Sequence, residues 1–161
     1  MLKDPMTTSP FLTRLEQPKP LLADGAMGTL LHSRGNDPLD TCFEYLCVSH
    51  PQRVADVHRE YVQAGAELIK TNTFGANRYR LAEYGLGDAV EEINRQAVKL
   101  ARWATALHEG VFVVASVSSL GVPMKPFGKL EREQVYHAFH EQLSVLISEG
   151  IDALLLETFT D

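Results

Sequence analysis

Four short apolar runs, spaced almost evenly along the chain, constrain the fold more than any other feature of the sequence. They are Leu21–Ala23, Glu67–Thr71, Val111–Val117 and Ala153–Leu156, and their first residues lie about 46, 44 and 42 residues apart. Short continuous runs rich in leucine and β-branched residues are typical of strands buried on both faces of a parallel sheet. The sequence therefore predicts four parallel strands.

Helical periodicity lies between these runs. The predicted helices span residues 51–64, 89–108 and 131–149. The first has Pro51 in its first turn, and Ser49 is predicted to cap it. Each helix is followed by a glycine suited to the left-handed conformation that ends helices; these are Gly65, Gly110 and Gly150.

The alternation of strands and helices indicates an α/β fold built from βα units. One architecture is an open doubly wound sheet, and the other is a (β/α)₈ TIM barrel, which needs about 250 residues. Four units supply about half of such a barrel. In both architectures ligands bind at the carboxyl ends of the strands, so the residues at those ends are the candidates for a functional site.

Composition excludes several classes of function. The 161 residues include 15 basic and 21 acidic ones, giving a net charge of −6, whereas nucleic-acid and membrane-surface binding use basic patches. No apolar run approaches the roughly 20 residues that span a bilayer, and the first residues lack a signal-peptide core. Two cysteines are too few for a disulfide framework. We expect a cytoplasmic protein with reduced thiols and neither nucleic-acid nor membrane partners.

Asp24 and Glu157 are the acidic candidates at strand ends. Asp24 is followed by Gly25 and Gly28, which permit a tight turn and close approach of a ligand to the backbone. A short helix beginning there would offer free N–H groups to a carboxylate. The alternative interpretation is that Asp24 only caps this helix. Glu157 follows three leucines, where a carboxylate is costly unless it is paired or wet, and this favours contact with a ligand.

The other two strand ends are rich in small and polar residues. Asn72, Thr73 and Phe74 follow the second strand, and they form either a binding surface or a polar loop in which Asn77 caps a helix. The serines of residues 116–119 after the third strand leave room for a ligand or form an ordinary turn.

Other residues that could bear chemistry have structural interpretations. Cys42 and Cys47 match no usual zinc spacing, and Cys47 is expected to pack as a small apolar residue. His137 and His140 are expected on a solvated helix face. His58 is expected to be a core residue whose polar atoms are satisfied.

The motifs together resemble one family. Asp24–Thr29, Val57–Ala66, Thr71–Asn77 and Glu157–Thr158 are similar, in order and spacing, to the homocysteine S-methyltransferase family. The similarity is greatest to the homocysteine-binding module of cobalamin-dependent methionine synthases and of bifunctional proteins that add a methylenetetrahydrofolate reductase domain. The resemblance runs from about residue 11 to the last residue.

The resemblance implies a (β/α)₈ barrel of which this chain is the N-terminal half. Residues 1–20 would be an N-terminal extension with a short helix, and residues 21–161 a partial homocysteine-binding domain that stops after the fourth strand. A further C-terminal methylenetetrahydrofolate reductase or cobalamin domain is expected in the whole protein.

The resemblance also implies the reaction, which is methyl transfer to the zinc-bound thiolate of homocysteine to give methionine. Zinc deprotonates a bound thiol outright. The family's three zinc cysteines have no counterpart here, so we expect no metal ligand and no catalytic residue in this chain, and no activity from it alone. The methyl donor would be methyltetrahydrofolate through cobalamin, or S-methylmethionine directly.

Carried over residue by residue, the resemblance assigns the amino-acid end of the substrate. Asp24 and Glu157 align with acidic residues that hold the homocysteine ammonium, and the backbone at Gly25 would receive the carboxylate. The pocket wall would consist of Asn72, Thr73 and Phe74. After the third strand, Ser118–Gly121 replaces the family's Gly-Pro-type turn, so no contact is inferred for that loop.

Two other interpretations remain open at this level. One is a different TIM-barrel enzyme with Asp24 and Glu157 as acid and base, which requires a lysine or metal-binding histidine at a strand end; Lys70 is the only such candidate. The other is a non-catalytic amino-acid-binding α/β domain, which requires the 161 residues to fold stably on their own.

Overall fold

The computed structural model describes residues 9–35, 38 and 40–159. The first eight residues of the predicted extension and the final Thr160–Asp161 therefore lie outside the described part of the chain. The helices are α1 (Pro10–Leu15), α2 (Gly28–Gly35), α3 (Leu46–Ser49), α4 (Pro51–Gln63), α5 (Arg78–Ala82), α6 (Val90–Thr105) and α7 (Arg132–Ser148). The strands are β1 (Leu68–Lys70), β2 (Phe112–Val117) and β3 (Ala153–Leu156).

The three strands form one parallel sheet in the order β1-β2-β3. Leu68 pairs with Phe112 at one side of β2, and Val114 pairs with Ala153 at the other. Each crossover between neighbouring strands contains a long helix, α6 or α7, as parallel pairing requires. The predicted parallel α/β architecture is confirmed, and these three strands lie within the predicted ranges.

The first predicted strand, Leu21–Ala23, is wrong as a strand. The segment makes only an isolated parallel bridge, between Ala23 and Leu68. Its backbone still follows β1, since Leu22 O accepts from Glu67 N at 2.7 Å. Pro20 precedes the segment and has no N–H to donate, and Leu22 is 56% exposed. The segment therefore lies beside the sheet at the position of a fourth strand without extending the ladder.

The three predicted long helices are confirmed as α4, α6 and α7, but the predicted cap of α4 is wrong. His50 occupies the cap position and makes no side-chain capping bond. Ser49 ends the preceding helix α3, and its hydroxyl donates to Tyr45 O at 3.2 Å. The Ser49 hydroxyl thus bonds at α3 and does not cap α4. The glycines after these helices take positive φ as predicted, at Gly65, Gly110 and Gly150.

The core lies between the sheet and helices α4, α6 and α7. Every residue of β2 is buried, as expected for a central parallel strand. One cluster joins Ile69 and Val113 to Val62 of α4, and another joins Val98 of α6 to Leu146 of α7 over the end of β2.

Strand β3, at the edge of the sheet, is much more exposed than β2. Leu154, Leu155 and Leu156 are 40%, 38% and 63% exposed. Asp152 fixes the start of this strand, because its Oδ2 accepts from Val113 N at 2.7 Å and from Arg102 Nη1 at 2.8 Å. The strand is therefore held in register on one side and presents apolar surface on the other.

No helix in the described part of the chain combines the length and hydropathy needed to cross a lipid bilayer.

His58 lies in α4 and is fully buried, which confirms its prediction as a core residue. The expectation that its polar atoms are satisfied is wrong, because neither ring nitrogen has a hydrogen-bond partner among the described residues. Burial lowers the pKa of His58 to about 4 from the usual 6.5. The imidazole is thus held neutral in the fold.

The core of α7 offers a matched test of packing. Leu146 is fully buried and its neighbour Ile147 is 59% exposed. We expect Leu146→Ala to lower the free energy of unfolding by about 2–5 kcal/mol through lost burial and a cavity. Ile147→Ala should change it much less, and thermal or chemical denaturation of the two variants compares them. Equal losses would contradict the packing described for α7.

Acid should destabilise the fold through His58. Its folded-state pKa lies below the unfolded value, so its contribution is complete above about pH 6.5 and is lost as pH falls towards 4, by up to about 3 kcal/mol. His58→Leu should lose this part of the pH dependence, measured by denaturation from pH 7 to 4. The exposed His137, replaced by Gln, is the control. A profile unchanged in His58→Leu would show that the buried ring does not cause the acid sensitivity.

Candidate functional site

A cavity of about 390 Å³ opens at the carboxyl ends of β1, β2 and β3. Its walls include the loop after the first apolar segment and the segments that follow β1 and β3. Ser116 of β2 and residues from the stretch 41–44 before α3 complete them. Three carboxylates line it, from Asp24, Glu44 and Glu157, together with one cation, Lys70. An acidic pocket with apolar walls is suited to a ligand that carries a positive charge.

Asp24 is the most deeply placed of the three carboxylates, with 2% of its side chain exposed. Its Oδ2 accepts from Lys70 N at 2.9 Å, whereas Oδ1 has no hydrogen-bond partner and lies 3.6 Å from Lys70 Nζ. Burial raises the pKa of the Asp24 carboxyl to about 6; the contacts with Lys70 oppose this shift, and Glu157 adds to it. One carboxylate oxygen is thus hydrogen-bonded to the backbone of β1, and the other is buried and forms only the ion pair with Lys70.

Glu157 directly follows β3 and is positioned by its neighbours on β2. Its N–H donates to Val117 O at 3.0 Å, and its Oε1 accepts a short hydrogen bond from the Ser116 hydroxyl. The next residue, Thr158, has φ 61°, a conformation that a β-branched residue rarely adopts. Such backbone strain often accompanies a functional site.

The segment after β1 sends its side chains in two directions. Asn72 and Phe74 line the cavity, whereas Thr73 is fully buried behind them and is not among the lining residues. The Thr73 hydroxyl contacts Thr71 Oγ1 at 2.6 Å and donates to Ser116 O at 2.8 Å. Thr73 therefore ties this segment to β2 from behind. Asn77 caps α5 through Tyr79 N and Arg80 N, as the alternative interpretation predicted.

Gly25 lies where the chain passes close to α4. A Cβ built on Gly25 would lie 2.7 Å from the Tyr61 hydroxyl oxygen, and that hydroxyl donates to Ala26 O at 2.8 Å. The tyrosine thus supports the loop that carries Asp24 towards α2, which begins at Gly28. Any side chain at position 25 would displace this support.

Several further residues line the cavity, of which Glu44, Phe43 and Tyr84 were not predicted from the sequence. Lys70, Ser116 and Glu44 line the cavity, with Phe43 and Tyr84 as aromatic walls. Glu44 Oε1 accepts from Gly75 N at 2.8 Å, which joins the segment before α3 to the loop after β1. Lys70 and Ser116 were named in the alternative interpretations of the strand ends, whereas residues 41–44 belong to a stretch without strand or helix periodicity.

The described residues do not fit a zinc site. They contain no group of three or more His, Cys, Asp or Glu side chains placed to hold a metal ion. Cys42 and Cys47 are both buried free thiols, and burial raises their pKa values to about 11 and 12, which disfavours the thiolate that zinc binds. His137 and His140 are exposed on α7, as predicted.

A second cavity, of about 490 Å³, lies between the loop after β2 and helix α7. Its walls are mainly apolar, and among the described residues that line it Arg80 alone is charged. The Arg80 guanidinium lies 5.8 Å from the Phe74 ring centroid and donates from Nε to Ser119 O at 2.8 Å. The strand-end carboxylates thus belong to the smaller cavity, and the candidate site is placed there.

Comparison with known proteins gives a consistent result. A family model described as homocysteine S-methyltransferase matches residues 21–161. Methionine synthases of Mycobacterium leprae and Mycobacterium tuberculosis are 31% and 29% identical over 153 residues, which are 88% of this chain and 12% of each of those proteins. The metallated form of the homocysteine methyltransferase MmuM from Escherichia coli superposes with a TM-score of 0.79 at 26% identity, covering 92% of this chain and 57% of that one.

The chain thus spans a small part of the two methionine synthases and somewhat more than half of the solved methyltransferase. The family match covers most of the residues and includes every strand-end segment that lines the acidic cavity. The chain belongs to the homocysteine S-methyltransferase family.

Proposed function

We propose that this chain is part of an enzyme that transfers a methyl group to the thiol of homocysteine and forms methionine. The chain is proposed to be the half of the enzyme that binds the amino-acid end of the substrate. The observation that carries the proposal is the acidic cavity at the strand ends, in which Asp24 keeps a buried oxygen without a hydrogen-bond partner. The family to which the chain belongs supplies the substrate and the reaction class.

Asp24 and Glu157 are proposed to bind the homocysteine ammonium. A buried carboxylate oxygen without a hydrogen bond costs free energy, which the 3.6 Å ion pair with Lys70 offsets only in part. A second cation that donates a hydrogen bond to this oxygen would recover more of that cost. The raised pKa of Asp24 has burial as its main cause, so a bound ammonium would favour its ionised form. Glu157 is suited to share the cation because Ser116 occupies only its Oε1.

The substrate carboxylate is proposed to bind the backbone from Gly25 to the start of α2 at Gly28. Backbone N–H groups at a helix N-terminus favour an anion. The space between Gly25 and Tyr61 is too small for a side chain at position 25. The substrate ammonium would thus contact the carboxylates of Asp24 and Glu157, and the substrate carboxylate would contact backbone N–H groups between Gly25 and Gly28. Asn72 and Phe74 would form the wall, and Thr73 would support that wall from behind.

Zinc and the methyl donor are proposed to come from outside these residues. The resemblance implies a zinc ion that activates the homocysteine thiol, and the described residues do not fit it, so its ligands would lie in the missing barrel units. Methyltetrahydrofolate through cobalamin, or S-methylmethionine, would donate the methyl group. A methylenetetrahydrofolate reductase or cobalamin domain would follow in the whole protein.

The proposed whole domain is a (β/α)₈ barrel, with residues 21–161 as its N-terminal half. The three-stranded sheet, the additional segment bridged at Ala23, and coverage of 57% of the solved methyltransferase support this arrangement. The free thiols of Cys42 and Cys47 agree with the predicted cytoplasmic location, which is part of the same proposal.

The carboxylate of Glu157 can be tested in the enzyme encoded by the complete reading frame. Glu157→Gln keeps an acceptor for Ser116 and removes the charge, so we expect the Kd for homocysteine to rise about tenfold or more, with unchanged zinc content. Calorimetry and elemental analysis measure the two quantities. Glu133→Gln, on the exposed face of α7, is the control. Loss of zinc from the Glu157 variant would contradict the assigned role.

The exposed leucines of β3 predict how the 161-residue chain behaves by itself. An unpaired strand edge with an apolar surface invites pairing with another chain. We expect the isolated chain to be oligomeric, aggregated or partly unfolded, and to lack methyltransferase activity. Analytical ultracentrifugation and calorimetry test this. A monodisperse monomer with a cooperative melt, or zinc-dependent methyl transfer by the isolated chain, would contradict the half-barrel proposal.

A further inference from the structure

The side-chain amide of Asn72 has a defined orientation. Its Nδ2 lies 2.7 Å from Phe43 O and 3.6 Å from Cys47 Sγ. The opposite orientation would bring the amide oxygen within 2.7 Å of the Phe43 carbonyl oxygen, where two acceptors repel each other. The amide nitrogen therefore faces Phe43, and both of its N–H donors have partners.

The Asn72 Oδ1 is the one polar atom of this side-chain amide that is left to bind a ligand. Asn72 lines the acidic cavity, and within the described chain no hydrogen bond reaches its Oδ1. An amide whose donors are both occupied can only accept. Although asparagine usually offers both functions, this one therefore selects ligand groups that donate hydrogen bonds.

Cys47 forms hydrogen bonds with both the side chain and the backbone of Asn72. Its side chain is fully buried in α3, accepts from Asn72 Nδ2, and donates from Sγ to the Asn72 backbone O at 3.9 Å. A neutral thiol can do both, and burial keeps Cys47 in that form by raising its pKa to about 12. Cys47 thus contacts the backbone and the side chain of the same residue.

We propose that Asn72 is a specificity-determining residue that presents its Oδ1 to the ammonium group of the substrate, and that Cys47 is the positioning residue that fixes this orientation. The proposal rests on the proposed function, because it takes homocysteine as the ligand.

The count of hydrogen bonds favours an ammonium at this position. A primary ammonium has three N–H donors. Three side chains of the cavity have an oxygen with no hydrogen-bond partner in the described chain: Asp24 through Oδ1, Glu157 through Oε2 and Asn72 through its amide oxygen. The Asp24 Oδ1 also forms an ion pair with Lys70 Nζ at 3.6 Å, so an ammonium would share this oxygen with Lys70. Two carboxylates supply the charge, and the neutral amide supplies a third acceptor without adding further negative charge to the cavity.

A double-mutant cycle in the enzyme encoded by the complete reading frame tests the pair. We expect Asn72→Ala to raise the Kd for L-homocysteine about tenfold, and Cys47→Ala about threefold, since each removes or loosens one hydrogen bond to a charged group. In the Asn72→Ala background, Cys47→Ala should have almost no further effect on the Kd. Cys47→Ser keeps a donor and an acceptor, and should restore much of the affinity.

Val57→Ala is the matched control for packing. Val57 belongs to the same core cluster as Cys47 and is equally buried, so its truncation lowers stability without touching Asn72. Thermal melting of each variant reports its folding. A Kd raised as much by Val57→Ala as by Cys47→Ala, or additive effects of Cys47→Ala and Asn72→Ala, would overturn the positioning role.

A second ligand identifies the group that Asn72 meets. 4-Mercaptobutanoate is homocysteine without its amino group, and Asn72→Ala should leave its Kd unchanged. An equal loss for both ligands would overturn the assignment to the ammonium.

Side-chain amide exchange, measured by NMR without ligand, separates this proposal from the proposed function. We expect the Asn72 amide protons to exchange more slowly than those of exposed Gln63, and faster after Cys47→Ala. A wild-type enzyme that fails to bind homocysteine would refute the proposed function and the ammonium contact together. Fast exchange at Asn72 in the wild type would refute the fixed orientation by itself.

Discussion

The candidate site depends on the two hydrogen bonds that join residue 24 to β1. Asp24 N donates to Leu68 O at 2.9 Å, and the Asp24 side chain accepts from Lys70 N at 2.9 Å. The preceding segment lacks a full ladder, so these bonds place the acidic loop beside the sheet. They also occupy one oxygen of a carboxylate that burial has already made costly to ionise. The other oxygen is buried beside Lys70 Nζ, and both residues line the cavity.

Much of this architecture could be predicted from the sequence, because burial and periodicity are local signals. The predictions for Val111–Val117 and Ala153–Leu156 closely match β2 and β3, since both runs are continuous and apolar. Leu21–Ala23 carries a similar signal but makes only a bridge, and Pro20 before it has no backbone N–H to donate to a ladder. The prediction that Ser49 caps α4 failed for a different reason, because the Ser49 hydroxyl donates to Tyr45 O at the short helix α3.

The site was only partly predictable. Asp24 and Glu157 stand at strand ends, and parallel strands bring such residues to one edge of the sheet. The structure puts both on one cavity together with Gly25, Asn72 and Phe74, whereas Thr73 lies behind it. Glu44 and Phe43 reach the same cavity from a stretch without regular periodicity. Their position follows from tertiary contacts, such as the bond from Gly75 N to Glu44, which no local pattern encodes.

The raised pKa of Asp24 has a consequence for the energetics of ligand entry. A carboxyl group with a pKa of about 6 is partly protonated at slightly acidic pH. A cationic ligand in the cavity stabilises the ionised form, so its arrival expels the residual proton into the solvent. Association and deprotonation then become one thermodynamic event, and the heat that accompanies it includes the ionisation enthalpy of whichever buffer takes up the proton. The burial that holds Asp24 in place thereby couples the occupancy of the cavity to the acidity of its surroundings.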